Sequence, residues 1–273
     1  MARPSSARRT ASVAPGPSPG YSIDPSLTFW IGCAGWNIPK QHDDLFPRDG
    51  SHLARYQRQF NAGEINSSFY RSHRPATYRR WADDSPEEFR FAVKAPRTVT
   101  HEHRLKGADD LLKAFLGEVA ELGEHLGPLL FQLPPSLRFS PSDVENFLEL
   151  LRGLFSGALV LEPRHTSWLG EDAAHLLRQY RVAMAAADPP LGPEIAPAGS
   201  SSPTYYRLHG HPRMYYSPYS EGDLARLARD MFEHAAGGHD VWCIFDNTAD
   251  GAAQTDALTM QRMLAARRST LGR

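Results

Sequence analysis

No stretch of the 273-residue chain holds the roughly 18 consecutive apolar residues that a membrane-spanning helix needs. An excess of charge is missing too. The 30 Lys and Arg face 31 Asp and Glu, a formal net charge of −1, so the overall basic surface of a general nucleic-acid binder is absent and partners must be sought locally. Only two cysteines occur, Cys33 and Cys243. They read as buried thiols in a reducing cytoplasm, on strands that a closed barrel would make neighbours, with a disulfide between them left open. There is no glycine-rich phosphate loop ending in Lys-Ser or Lys-Thr, no dinucleotide fingerprint and no Gly-x-Ser-x-Gly nucleophile turn. Kinase, nicotinamide-dependent and serine-hydrolase readings fall away.

Residues 1–27 are rich in Pro, Ser, Ala and Gly and carry Arg3, Arg8 and Arg9 with one acid, Asp24. No apolar segment follows the arginines, which argues against an ordinary secretory signal, and no amphipathic stripe suggests a transit peptide. The composition predicts a disordered tail, dispensable for folding, ahead of one domain over 28–273.

What is present is an alternation. Eight short apolar runs end on polar or charged residues: Phe29 to Gly35, Ala62 to Asn66, Phe89 to Lys94, Leu129 to Leu133, Leu159 to Glu162, Val182 to Asp188, Tyr205 to Gly210 and Val241 to Asn247. Most intervals carry helical pattern. Ser140-Pro141-Ser142-Asp143 supplies a helix start ahead of Val144, Phe147, Leu148 and Leu151, Ser220 with Asp223 repeats it, and Leu111 to Leu122 forms the longest stripe. Strands alternating with helices predict an α/β protein, a single (β/α)8 TIM barrel of a length that suits one domain. The scheme is irregular at the sixth helix, because residues 189–203 hold five prolines, three consecutive serines and two glycines; this stretch reads as a lid or a plain connection.

In such a barrel the C-terminal strand ends build the site. Residues two apart share a strand face, so Glu64 with Asn66, Glu162 with Arg164, and Arg207 with His209 each point one way. The barrel mouth is a cheaper place for them than the apolar helix layer, where unpaired ions cost several kcal/mol. Gln132, Asp188, Asp246 and Asn247 end the remaining runs.

The same segments carry a family likeness. Gly32-Cys33-Ala34-Gly35-Trp36, Glu64-Ile65-Asn66-Ser67-Ser68-Phe69-Tyr70-Arg71, Phe91-Ala92-Val93-Lys94-Ala95-Pro96-Arg97, Phe131-Gln132-Leu133-Pro134-Pro135, Glu162-Pro163-Arg164-His165-Thr166-Ser167-Trp168, Tyr206-Arg207-Leu208-His209-Gly210 and Asn247 with Gly251-Ala252-Ala253 resemble the YecE-like family, domain of unknown function 72, over about residues 30–265. The resemblance implies a TIM barrel and a soluble bacterial or archaeal protein, and brings no established reaction. The chain departs from the family pattern at Asp246, where an asparagine is usual, and at Pro163, where an aromatic residue is usual.

From the residues themselves we expect an enzyme, a hydrolase, lyase or isomerase without redox cofactor, that acts on a phosphorylated or otherwise anionic substrate. Arg71, Lys94, Arg97, Arg164, Arg207 and His209 bring cations to one rim, and guanidinium forks suit phosphate and carboxylate. Glu64 and Glu162 are the expected acid and base, with Lys94 a stabiliser or a nucleophilic amine. Asn66, Tyr70, Gln132, His165, Trp168, Asp188, Asp246 and Asn247 complete the expected substrate contacts. A divalent metal on Glu64, Glu162, Asp188 and His209 is the rival arrangement, in a metal-assisted phosphodiesterase or isomerase. Trp36, Tyr70, Trp168, Tyr205, Tyr206, Tyr215, Tyr216 and Tyr219 could stack on a nucleotide or single-stranded nucleic acid, which would also suit a barrel that binds without turnover. If the ionisable groups serve function only, Glu64→Gln and Arg207→Met should each cost less than about 2 kcal/mol of stability.

Overall fold

The computed structural model describes residues 29–200 and 202–271, so the expected tail over 1–27 lies outside the described residues. Strands and helices alternate as the periodicity requires. The strands are β1 (Phe29–Cys33), β2 (Ala62–Ile65), β3 (Arg90–Lys94), β4 (Leu126–Gln132), β5 (Leu159–Glu162), β6 (Val182–Met184), β7 (Ala186–Asp188), β8 (Ala198–Gly199), β9 (Thr204–Leu208) and β10 (Val241–Phe245). The α-helices are α1 (His52–Tyr56), α2 (Pro75–Asp83), α3 (Asp109–Val119), α4 (Pro141–Leu154), α5 (Glu171–Gln179), α6 (Glu221–Ala236) and α7 (Ala252–Leu271). The expected starts of α4 and α6 are in place. Pro141 opens α4 after Ser140, whose side chain makes no capping bond, whereas the Ser220 hydroxyl accepts from Asp223 N at 3.1 Å and caps α6.

The strands run parallel and follow the expected order, but the closed ladder of eight is not formed. One sheet has the order β1-β10-β9-β7 and the other β2-β3-β4-β5-β6-β8. Two seams divide them, each with a visible cause. Between β1 and β2 a single bridge, Ala34 with Glu64, joins the sheets. Below it side chains occupy the bonding positions: Ile31 N donates to Asn61 Oδ1 and Asn61 Nδ2 to Phe29 O, while Tyr56 Oη accepts from Cys33 N at 2.7 Å and donates to Ala62 O at 2.9 Å. Gly32 is required there, since a Cβ would lie 1.9 Å from Ala62 O. At the other seam the run Val182 to Asp188 changes partners at Ala185. Its first half pairs with β5 and, antiparallel, with β8, and only its second half reaches β9. The 189–203 stretch that breaks the helix pattern contains β8 and no helix among its described residues, so it fills the edge that β9 would otherwise share.

Two apolar clusters follow from the strand alternation. The larger lies between the sheets and the helices and includes Phe91, Phe131, Phe147, Leu148, Leu177, Met231 and Phe245. Each such side chain contributes about 1.5–3 kcal/mol by leaving water. The smaller fills the inside of the strands with Ala62, Ala92, Leu130, Val160, Ala183, Tyr205 and Trp242, above which Ala185 and Ile244 continue. Trp30 stacks on Trp242 at 5.5 Å and forms its floor. Two residues further along the strands, on the same face, stand Glu64, Lys94, Gln132, Glu162 and Arg207. Cys33 and Cys243 lie on the adjacent strands β1 and β10, both buried and both free.

Candidate active site

Arg207 stands at the centre of the inner face and is fully buried, as are Glu64 and Glu162. Its Nε and Nη2 donate to the two oxygens of Glu64 at 2.9 and 2.7 Å, a two-point clasp that fixes both planes. Nη2 also lies 2.9 Å from Asp246 Oδ2, and Nη1 donates to Glu162 Oε2 at 3.3 Å. One guanidinium therefore serves carboxylates from three strands. Tyr205, two residues before Arg207 on the same face, donates its hydroxyl to Glu64 Oε2 at 3.1 Å. Burial opposes ionisation of Glu162, yet Arg207 and Arg164 outweigh it and hold its carboxyl well below the usual range; Asp246 is lowered for the same reason by Arg207 and His209.

His209 completes the layer. Arg164 Nη2 approaches its Nε2 at 2.5 Å and Arg207 Nη1 at 3.2 Å. Glu162 Oε1 lies 3.2 Å from the same Nε2, and Nδ1 lies 3.1 Å from Asp246 Oδ2 without good hydrogen-bond alignment. Arg164 Nη2 also bonds Glu162 Oε1, which Gln132 Nε2 reaches at 2.9 Å. Tyr215 stands against His209 edge to face at 5.4 Å, and its backbone occupies the left-handed region at φ 70°, a conformation that costs a non-glycine residue about 1 kcal/mol.

Lys94 differs from every other charged group in this layer. It is 4% exposed, and among the described residues no carboxylate lies within ion-pair distance of its ammonium. Its Nζ instead stands 4.1 Å from the centre of the Phe69 ring. Burial, and then Arg207, push the amine down to about 8 from its ordinary 10.5, against a weaker pull from Glu64, Glu162 and Asp246.

Other expected site residues lie elsewhere. Asp188 is one residue out of phase and faces the helices, where it accepts from the Tyr219 hydroxyl at 2.7 Å. Asn247 is likewise outside, donating to Ser217 O and to Asp256 Oδ2. His165 caps the short 3₁₀ turn after β5 by accepting from Ser167 N, and the buried Trp168 donates to Leu137 O, so both serve local packing. Tyr70 is 70% exposed, Arg71 is exposed, and Arg97 pairs with Glu102 on the surface. Asn66 stays near the strand end, its Oδ1 buried without a partner. The alternative metal set is not brought together, because Asp188 faces away and guanidiniums already occupy Glu64 and Glu162; among the described residues no group of three metal-ligating side chains forms. The sequence placed Tyr205 among the stacking aromatics, and its role as a donor to Glu64 was missed, although its two-residue spacing from Arg207 carries the signal. The stability cost expected for Arg207→Met also needs revision, since removing this guanidinium would strand three buried carboxylates.

Parallel strands that alternate with helices and carry an ionic cluster at their C-terminal ends define an α/β protein. The family follows from comparison with known proteins. The sequence model of "Protein of unknown function DUF72" matches residues 30–273, and the chain belongs to that family. The UPF0759 protein YecE of Escherichia coli K12 is 32% identical over 155 residues, 55% of this chain and 54% of the relative, so the matched stretch spans about half of that protein's length. The UPF0759 protein YunF of Bacillus subtilis is 22% identical over 268 residues, 86% of this chain and 94% of the relative. Among solved structures, a DUF72 family protein of Thermotoga maritima superposes with a TM-score of 0.75 at 25% identity, covering 87% of this chain and 99% of the other. One from Enterococcus faecalis gives 0.74 at 20% identity, covering 87% and 95%. Among the described residues no helix is long and apolar enough to cross a membrane.

Proposed function

We propose that the two sheets act as one (β/α)8 barrel and that its C-terminal mouth is the active site of a cytoplasmic enzyme for a small anionic substrate, phosphorylated or carboxylated, transformed by non-redox acid–base chemistry. The observation that carries this reading is the unpaired ammonium of Lys94. Glu64, Glu162 and Asp246 all turn to Arg207, which leaves Lys94 buried without a counter-ion, and a buried cation in that state gains most from an arriving anion. Arg164 adds a second cation. Its Nη2 is committed to Glu162 and His209, while Nε and Nη1 take no protein acceptor among the described residues. Beneath them the Arg207 cluster is a fixed ionic platform whose orientation needs no rearrangement when charge develops above it. The buried free thiols Cys33 and Cys243 suit a reducing compartment.

Glu64 holds both oxygens on Arg207 and Glu162 is kept ionised, so in this reading the two glutamates orient and neutralise, and proton transfer falls to Lys94. Phosphate titrated against the folded protein tests the proposal. Millimolar phosphate should raise the melting temperature of the native chain by preferential binding, and Lys94→Met and Arg164→Met should each reduce that rise. An equal rise in both variants would place the anion elsewhere.

A further inference from the structure

We infer that Lys94 is a nucleophilic amine that forms an imine with the aldehyde or keto group of an anionic substrate at the barrel mouth. The inference rests on the mouth being the substrate site and adds the class of substrate, a small carbonyl compound bearing a carboxylate or phosphate.

Only four of the 30 Lys and Arg residues are lysine: Lys40, Lys94, Lys106 and Lys113. Arginine supplies the positive charge almost everywhere else, including Arg164 and Arg207 in the same layer. A guanidinium stays protonated and is no nucleophile, whereas an amine that sheds its proton is one, so the single buried lysine has a chemical capacity that its arginine neighbours lack. Lys40, Lys106 and Lys113 are exposed, and Lys106 is paired with Asp143 at 2.8 Å.

The surroundings of Lys94 favour the free amine. Phe69 offers its ring face and no acceptor, and such a contact holds an ammonium less firmly than a carboxylate does. Arg207 repels the charged form, while Glu64 and Glu162 keep their oxygens on the guanidinium, and His101 on the following turn feels the lysine charge as a repulsion. With the amine at about 8, roughly a tenth is unprotonated at pH 7, far more than for an ordinary lysine. Space is available at the mouth on the Arg164 side of the layer. A cavity of ≈ 450 Å³ lies between the 189–198 loop and the strand ends, lined by Arg164, Ala185, Ala187 and Leu169. The small inward side chains at 185 and 187 leave room for a substrate body, and Arg164 stands at its wall to take the anionic group.

The step balances without any further reagent. The Nζ lone pair attacks the carbonyl carbon as the carbonyl π pair moves to oxygen. That oxygen then leaves as water with the two amine protons, and a C=N bond forms. Once protonated, the imine draws electrons from the adjacent carbon, the use to which lysine imines are suited in lyase and isomerase chemistry.

The test uses the full chain with pyruvate, glycolaldehyde phosphate or neutral glycolaldehyde, each followed by cyanoborohydride and peptide mass mapping. Lys94 should carry the adduct of the anionic probes at about tenfold or more over the exposed Lys40, because burial without a counter-ion frees more of the Lys94 amine than an ordinary lysine has at neutral pH. Lys94→Arg and Lys94→Met should lose this adduct, and Arg164→Met should slow trapping of the two anionic probes but not of glycolaldehyde. Mapping on the native chain decides the matter even if a variant fails to fold. No adduct at Lys94 with any probe, or labelling no faster than at Lys40, would overturn the inference; if phosphate still stabilised the protein through Arg164, the anion reading would survive that result. Trapping at Lys94 that is indifferent to Arg164 and to the probe's charge would support the imine and remove the anion reading.

Discussion

Asp246 and Asn247 are adjacent at the end of β10 and belong to different regions. Asp246 enters the ionic layer inside the strands, where a guanidinium answers its charge. Asn247 enters a polar seam outside them, built from Asp188, Tyr219, Asn247 and Asp256, in which hydroxyl, amide and backbone donors hold the carboxylates. Both regions are buried, and Glu162 and Asp246 of the first respond in the opposite direction to Asp256 of the second. Arg207 keeps Glu162 and Asp246 low, whereas burial pushes Asp256 up to about 6 despite bonds from Asn247 and Tyr219. Neutral donors satisfy geometry; only an opposite charge offsets the full cost of burying an ion.

The largest test of that difference is Arg207→Met. It should lower unfolding free energy by about 3–5 kcal/mol in denaturant titration, the range for breaking a buried ion pair from one side. A loss under about 1 kcal/mol would mean that the carboxylates relax to water, and that the inner layer is no more demanding than the seam.

Tyr219→Phe probes the seam. The hydroxyl donates to Asp188 and accepts from Gly210 N, so its removal leaves two buried groups short of a partner and should cost about 1–3 kcal/mol. A cost equal to that of Arg207→Met would erase the distinction drawn between charge and hydrogen bonding.

The smallest effect is in pH dependence. Asp256 binds its proton more tightly in the native state, so between its ordinary 3.8 and about 6 stability falls as pH rises. Glu162 and Asp246 act with the opposite sign: their contribution is complete above 4.5 and 3.8 and is lost as pH falls toward their lowered native values. Melting temperature should therefore pass through a maximum on the acid side, and Asp256→Asn should flatten the limb between pH 4 and 6 while leaving the steep loss at lower pH. An unchanged limb in the variant would assign that slope to another group.

The inner layer was legible because charges at Glu64, Lys94, Glu162 and Arg207 each stand two residues beyond an apolar residue of the same face, and such a face has to be polar at its end. The seam was misread for want of contrast. Val182-Ala183-Met184-Ala185-Ala186-Ala187 is apolar throughout, so nothing in it tells that Ala183, Ala185 and Ala187 face inward and Asp188 outward. At Asp246-Asn247 both residues are polar, and the ambiguity is again a single step. The seam between β1 and β2 was also beyond reach, because it depends on Asn61 and Tyr56, which lie outside the strand pattern and act through side chains.

The seam between β1 and β2 gives the molecule a clasp where a ladder would otherwise run. The amides of Ile31 and Cys33 are held by the Asn61 amide and the Tyr56 hydroxyl. Rotation of two side chains is enough to release them, whereas every other parallel neighbour would have to shed a row of backbone bonds in concert. Solvent deuterium should accordingly reach Ile31 and Cys33 through small local openings, ahead of Ile244 and Val160 in the adjoining ladders. The sheet has a defined place at which it can part without unfolding.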